Sequence, residues 1–162
     1  MFTIADIRNI AVQIEKNGEE TYRKAGLASE NVELAKLFAI MADDERRHGE
    51  WLARITSNRT LSEEQRAMES MGRDLLQDMV RGNPFLLAEE ELNQAKNVQE
   101  VLVRAKGFEE DTILFYQFIR EFLDNDETIR QMDVIIAEER NHICHLQAME
   151  KIQQKMPGEK PS

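Results

Sequence analysis

The chain is predicted to be all-α, a four-helix bundle made of two helical hairpins joined by a long crossover that contains a short helix. Three observations predict this. Strong helix formers dominate the 162 residues, with only seven glycines and three prolines to interrupt them. Apolar residues recur at spacings of three and four along four long segments. The first pair of segments also shares a polar pattern with the second pair at a constant offset of 94 positions, from Glu15 to Glu109 and from His48 to His142. The length suits a single domain with a substantial core.

The elements follow in order. The first helix is expected from about Thr3 to Ala25, with the stripe Ala11, Glu15, Gly18, Tyr22, Ala25 and a C-terminal stop at Gly26. The second is expected from an N-cap at Ser29 to about Thr56, with the stripe Leu34, Phe38, Met41, Glu45, His48, Leu52, Ile55. Ser57 to Thr60 is a polar break, and Leu61-Ser62-Glu63-Glu64-Gln65 reads as the capped start of a shorter helix reaching Val80. Gly82-Asn83-Pro84 turns the chain. A long third helix is expected from Phe85 or Leu86 to Phe122, with the stripe Val98, Leu102, Ala105, Glu109, Thr112, Tyr116, Ile119, Leu123. Asp124-Asn125-Asp126 breaks it, and the fourth helix runs to about Lys155 with the stripe Met132, Ile135, Glu139, His142, Leu146, Met149. Such spacing places every member of a stripe on the buried face of an amphipathic helix.

Four glutamates therefore point into the core, where ionised carboxylates are costly unless something compensates them. Each hairpin reads Glu-x6-Tyr and then Glu-x-x-His: Glu15, Tyr22, Glu45 and His48 in the first, Glu109, Tyr116, Glu139 and His142 in the second. Two divalent ions would balance the four carboxylates, and the two imidazoles would complete the donor set while leaving positions for water, dioxygen or peroxide. A single Glu-x-x-His is weak as a signal. Two of them, each preceded at the same interval by a Glu with a Tyr seven residues later, are strong, and the bland alternative is a bundle whose buried polar residues pair with one another.

The formal charge of −10 argues against a nucleic-acid partner or an anionic membrane surface. No apolar run approaches the roughly 20 residues needed to span a bilayer. Cys144 is the only cysteine, so neither an intrachain disulfide nor a Cys-x-x-Cys metal cluster can form. The segment Met1 to Asn17 lacks the layout of a signal peptide, and a cytoplasmic location is expected. Cys144 reads as a structural or surface thiol. His145, which corresponds in the repeat to Trp51, reads as a partly exposed histidine. Glu89-Glu90-Glu91 reads as a solvated first turn. The apolar excess at Leu75, Leu76, Met79, Val80, Phe85 and Leu86 hints at a dimer contact.

The motifs Glu15-x6-Tyr22, Asp44-Glu45-Arg46-Arg47-His48, Glu109-x6-Tyr116 and Glu138-Glu139-Arg140-Asn141-His142 resemble those of the rubrerythrin family of diiron carboxylate proteins, from Ile4 to Met149. The resemblance implies a ferritin-like bundle over 1–156, with 157–162 as a flexible tail, and a dinuclear iron site. It implies that Glu45 and Glu139 bridge the ions, that Glu15 and His48 bind one, and that Glu109 and His142 bind the other. It also implies that Asp44 and Glu138, beside the bridging glutamates, accept ring N–H bonds from the histidines of the opposite hairpin, Asp44 from His142 and Glu138 from His48. The donor set alone also admits manganese, a mixed pair or adventitious zinc.

Two departures stand out. The family usually carries a further glutamate where this chain has Thr112, and its full-length members carry a rubredoxin-like domain with four cysteines, for which this chain has no counterpart. The expected activity is reduction of hydrogen peroxide or dioxygen with electrons from a separate donor protein, by a homodimer. The alternative is a ferritin-like protein that binds or oxidises ferrous iron for iron handling, and a third possibility, substrate hydroxylation, lacks a membrane-binding surface to reach quinone-like substrates. Tyr22 and Tyr116 either hydrogen-bond the ligating carboxylates and relay protons or electrons, or simply fill core.

Overall fold

The computed structural model describes residues 4–56, 67, 70–74 and 95–155. Four long helices occupy them: α1 Ile4–Ala28, α2 Val32–Leu52, α3 Ala95–Glu121 and α4 Asp126–Lys155. No strand occurs among the described residues. α1 pairs with α2, and α3 with α4, as two antiparallel hairpins of a ferritin-like bundle. No described helix is long and apolar enough to cross a membrane.

Every member of the four stripes is buried, from Ala11 in α1 to Met149 in α4. The core they form, with Ile7, Ile14, Phe108 and Phe115 added from flanking positions, is continuous across the two hairpins. Cross-links at the hairpin ends fix the register of each pair. Arg8 Nη1 donates to the Ile55 carbonyl at 3.1 Å, and Gln99 Nε2 donates to the Glu150 carbonyl at the same distance. Arg120 forks onto Asp133 at 2.5 and 3.1 Å.

The helix boundaries differ from expectation in the α1–α2 loop and at the end of α2. Gly26 does not end α1, which continues to Ala28. A Cβ at Gly26 would lie 3.3 Å from the Ala35 carbonyl oxygen and 3.4 Å from Phe38 Cβ, so the glycine serves the close approach of α1 to α2 rather than a left-handed cap. The N-cap of α2 is Asn31, not Ser29. Its side chain accepts from the Leu34 amide at 3.0 Å, while Ser29 Oγ donates to the Asn31 carbonyl. α2 ends at Leu52, and Arg54 and Ile55 close a tighter turn onto Trp51 and Leu52 instead of extending the helix to Thr56. The start of α4 lies at the expected break, where Asn125 Oδ1 accepts from the Glu127 and Thr128 amides at 3.0 and 3.2 Å.

Within the crossover, residues 67 and 70–74 are helical. Gly72 lies against both hairpins: a Cβ there would come 2.8 Å from Ile10 Cγ2 and 2.9 Å from Phe115 Cζ. The turn at Gly82-Asn83-Pro84, the start of the third helix before Ala95, the acidic run Glu89-Glu90-Glu91, the apolar group from Leu75 to Leu86 and the tail 157–162 lie outside the described residues.

Candidate metal centre

The periodicity that buries the four stripes also brings their polar members together at mid-bundle. Glu15, Glu45, Glu109 and Glu139 are all 0 % exposed, and His48 and His142 are 2 % and 3 % exposed. Their donor atoms fall into two groups, Glu15, Glu45, His48 and Glu139 in one and Glu45, Glu109, Glu139 and His142 in the other, each within a span of 4.8 Å. Glu45 and Glu139 belong to both. The imidazole centroids are 6.2 Å apart on either side of the shared carboxylates.

Both imidazoles turn Nδ1 inward and Nε2 outward. His48 Nδ1 lies 2.9 Å from Glu139 Oε1 and 3.8 Å from Glu15 Oε2. His142 Nδ1 lies 3.0 Å from Glu139 Oε2 and 3.5 Å from Glu45 Oε1. Outward, His48 Nε2 contacts Glu138 Oε2 at 2.6 Å and His142 Nε2 contacts Asp44 Oδ2 at 2.9 Å, each across to the other hairpin. These are the partners implied for the two acidic residues. With a carboxylate accepting at Nε2, that nitrogen carries a hydrogen, and Nδ1, which faces the cluster, is the nitrogen that would offer its lone pair to a metal ion.

The tyrosines also cross between hairpins. The Tyr22 hydroxyl donates to Glu109 Oε1 at 2.5 Å, and the Tyr116 hydroxyl donates to Glu15 Oε1. Each therefore serves the glutamate of the opposite half, not the one two turns before it on its own helix. Phe38 stacks on Tyr22 with ring centroids 5.7 Å apart, which holds the phenol in place.

What the protein itself leaves unmet is informative. Glu15 Oε2, both oxygens of Glu45 and Glu109 Oε2 are buried with no hydrogen-bond partner among the described residues, and Glu139 Oε1 and His48 Nδ1 face only each other, 2.9 Å apart. Buried polar groups are normally satisfied, and Lewis-basic atoms left facing one another in this way are suited to cations. Four carboxylates and two neutral imidazoles fit two divalent ions in both charge and donor type.

In the absence of metal, protons stand in for that charge. Burial, then the charge of Glu139, raises Glu15 to about 7 against the pull of His48, and the same two causes raise Glu109 to about 8. Burial and the charges of Glu139, Glu15 and Glu109 hold Glu45 well above the carboxylate range. Glu139 is the exception: burial works upward, but contact with His142 and His48 holds it below the usual value. For His48, burial works downward and is outweighed by hydrogen bonding and charge from Glu139, which push it up to about 9. For His142 burial is likewise outweighed, by Asp44, Glu109 and Glu139, and the pKa is pushed up to about 12. The cluster is a sink for positive charge.

Arg47 is a residue whose part was not anticipated. Its Nη2 pairs with Asp44 Oδ1 and lies 3.6 Å from Glu138 Oε1, so one guanidinium spans the acceptors of both histidines. Its counterpart at the repeat offset is Asn141, which carries no charge, and that asymmetry was the only signal in the chain. Cys144 and His145 are exposed on α4, apart from the buried stripe.

A family model described as Rubrerythrin matches residues 6–150. No curated protein and no solved structure matches the chain.

Proposed function

Because the chain belongs to the rubrerythrin family, we propose that it is a diiron oxidoreductase that reduces hydrogen peroxide or dioxygen with electrons from a separate donor protein. The observation that carries the reading is the set of carboxylate and imidazole atoms, buried and arranged in two groups that share Glu45 and Glu139. In this reading Glu15 and His48 hold one ion, Glu109 and His142 hold the other, and Glu45 and Glu139 are common to both. The iron pair supplies the reducing electrons and the Lewis acidity when bound.

The chain's own residues supply position, charge and protons. Asp44 and Glu138 fix the ring angle and tautomer of the two histidines. The tyrosine hydroxyls hold Glu109 and Glu15 in place and, through those hydrogen bonds, can pass protons toward the centre as oxygen is reduced to water. The apolar stripes above and below the cluster exclude bulk water, which strengthens each of these interactions.

The test is a single turnover. The ferrous-loaded protein is mixed anaerobically with hydrogen peroxide, and separately with dioxygen, and its absorbance is followed. Much faster oxidation by peroxide is the expected result. Preference for dioxygen would move the assignment to an oxidase or an iron-handling ferroxidase, and reaction with neither would refute it.

A further inference from the structure

Thr112 is fully buried on α3, one turn after Glu109 and one turn before Tyr116, and its hydroxyl oxygen has no hydrogen-bond partner among the described residues. A buried threonine within a helix ordinarily returns its hydroxyl to a carbonyl three or four residues earlier. A hydroxyl left unpaired in the core is a standing cost to the fold. Such a group is placed for a partner that the chain does not supply.

The 94-residue offset that relates the hairpins puts Thr112 in register with Gly18. A Cβ at Gly18 would lie 2.7 Å from Glu45 Oε2 and 3.3 Å from the Glu45 carboxyl carbon. The Cα–Cβ direction at this register is therefore aimed at the shared glutamate of its own hairpin. By the same relation the register of Thr112 faces Glu139, the shared glutamate of the second hairpin. The two sides of the cluster thus differ in side chain: beside α1, Glu45 lies against the bare backbone of Gly18, whereas the matching position on α3 carries a methyl and a hydroxyl. Both tyrosine hydroxyls are already given to carboxylates. Among the described residues of the cluster, Thr112 is the one neutral donor not committed elsewhere.

We propose that Thr112 is a ligand-binding residue whose hydroxyl donates a hydrogen bond to the small oxygen-containing molecule, water or oxidant, that enters the metal-loaded cluster from its α3 side. The inference rests on the dinuclear reading above. It also makes the two halves of a sequence-symmetric site inequivalent toward an incoming ligand.

Azide is the probe, as a small anion that takes an open position on ferric iron and accepts a hydrogen bond. The unaltered protein, Thr112→Val and Thr112→Ser are loaded with iron and oxidised, their metal content is counted, and azide is titrated by absorbance. Thr112→Val is expected to keep two ions per chain and to bind azide about tenfold more weakly, with Thr112→Ser within about threefold of the unaltered protein. The metal-free Thr112→Val protein is expected to melt no lower than the unaltered one, because its hydroxyl had no partner to lose. Unchanged azide affinity in Thr112→Val would overturn the proposal. So would equal weakening in Thr112→Ser, which would assign the effect to side-chain shape, or a lower melting temperature of metal-free Thr112→Val, which would reveal a partner inside the chain. Failure of the unaltered protein to hold two ions would instead sink the dinuclear reading, and the inference with it.

Discussion

His142 reaches across the bundle to Asp44, its Nε2 lying 2.9 Å from Asp44 Oδ2, while its Nδ1 stays within 3.0 Å of Glu139 in the cluster. One imidazole therefore joins the two hairpins and fixes its own tautomer in the same contact. Asp44→Asn keeps the shape but weakens the acceptor. Metal affinity measured by competition with a chelator is expected to fall about 10- to 100-fold. Arg47→Ala, which removes the charge spanning Asp44 and Glu138, is expected to give a smaller loss in the same direction, since the guanidinium is half exposed. Affinities equal to that of the unaltered protein would mean that these contacts are incidental.

Tyr22 and Tyr116 are tied to the glutamates of the opposite hairpins. Replacing either by Phe should destabilise the protein by about 1–3 kcal/mol, because a buried carboxylate loses a donor. Oxidation of the ferrous-loaded double variant by peroxide is expected to be slower. Kinetics identical to those of the unaltered protein would reduce the two phenols to packing and carboxylate placement.

At Gly18, alanine should separate helix stability from metal binding. In a helix interior Ala is favoured over Gly by about 1 kcal/mol. The new methyl would nevertheless meet Glu45 Oε2 at 2.7 Å and push the carboxylate aside. Metal-free Gly18→Ala is therefore expected to melt at the same or a higher temperature while binding metal more weakly. A variant that both melts higher and binds as tightly would show that Glu45 has room to spare.

Stability of the metal-free protein should fall as pH rises. Glu15 at about 7 and Glu109 at about 8 lie above the ordinary value of 4.5, and His48 at about 9 lies above 6.5. Each contributes stability that is fully present below its unfolded-state pKa and lost as pH climbs through the folded-state value. The decline should run from about pH 4.5 to about 9, with His142 extending it further; the carboxylates shifted downward, Glu139 and Asp44 among them, work the other way, at acid pH. Metal affinity should rise over the same interval, since each bound ion displaces protons. Melting curves in chelator from pH 5 to 9 check the first trend, and a rising or flat profile would contradict it.

Much of this site could be read from residue spacing, because helical periodicity is a local rule. Glu15, Glu45, His48 and their repeats sit in phase with Phe38, Leu102 or Leu146, and phase alone places them inside. Tertiary choices were not readable in this way. Gly26 looked like a helix stop by composition, yet its role comes from the Ala35 carbonyl and Phe38 of the neighbouring helix. Asn31 and Ser29 are both good caps, and only the path of the loop decides between them. The crossing of Tyr22 to Glu109 depends on how the two hairpins face each other, and neither stripe carries that information.

The most direct measurement is an anaerobic titration of the chelator-stripped protein with ferrous iron, counting ions bound per chain and protons released, alongside a Glu45→Ala, Glu139→Ala double variant. Two ions per chain with proton release, both lost when the shared glutamates are removed, is the outcome expected of the dinuclear centre. One ion or none in the unaltered protein, or two that survive loss of Glu45 and Glu139, would contradict it.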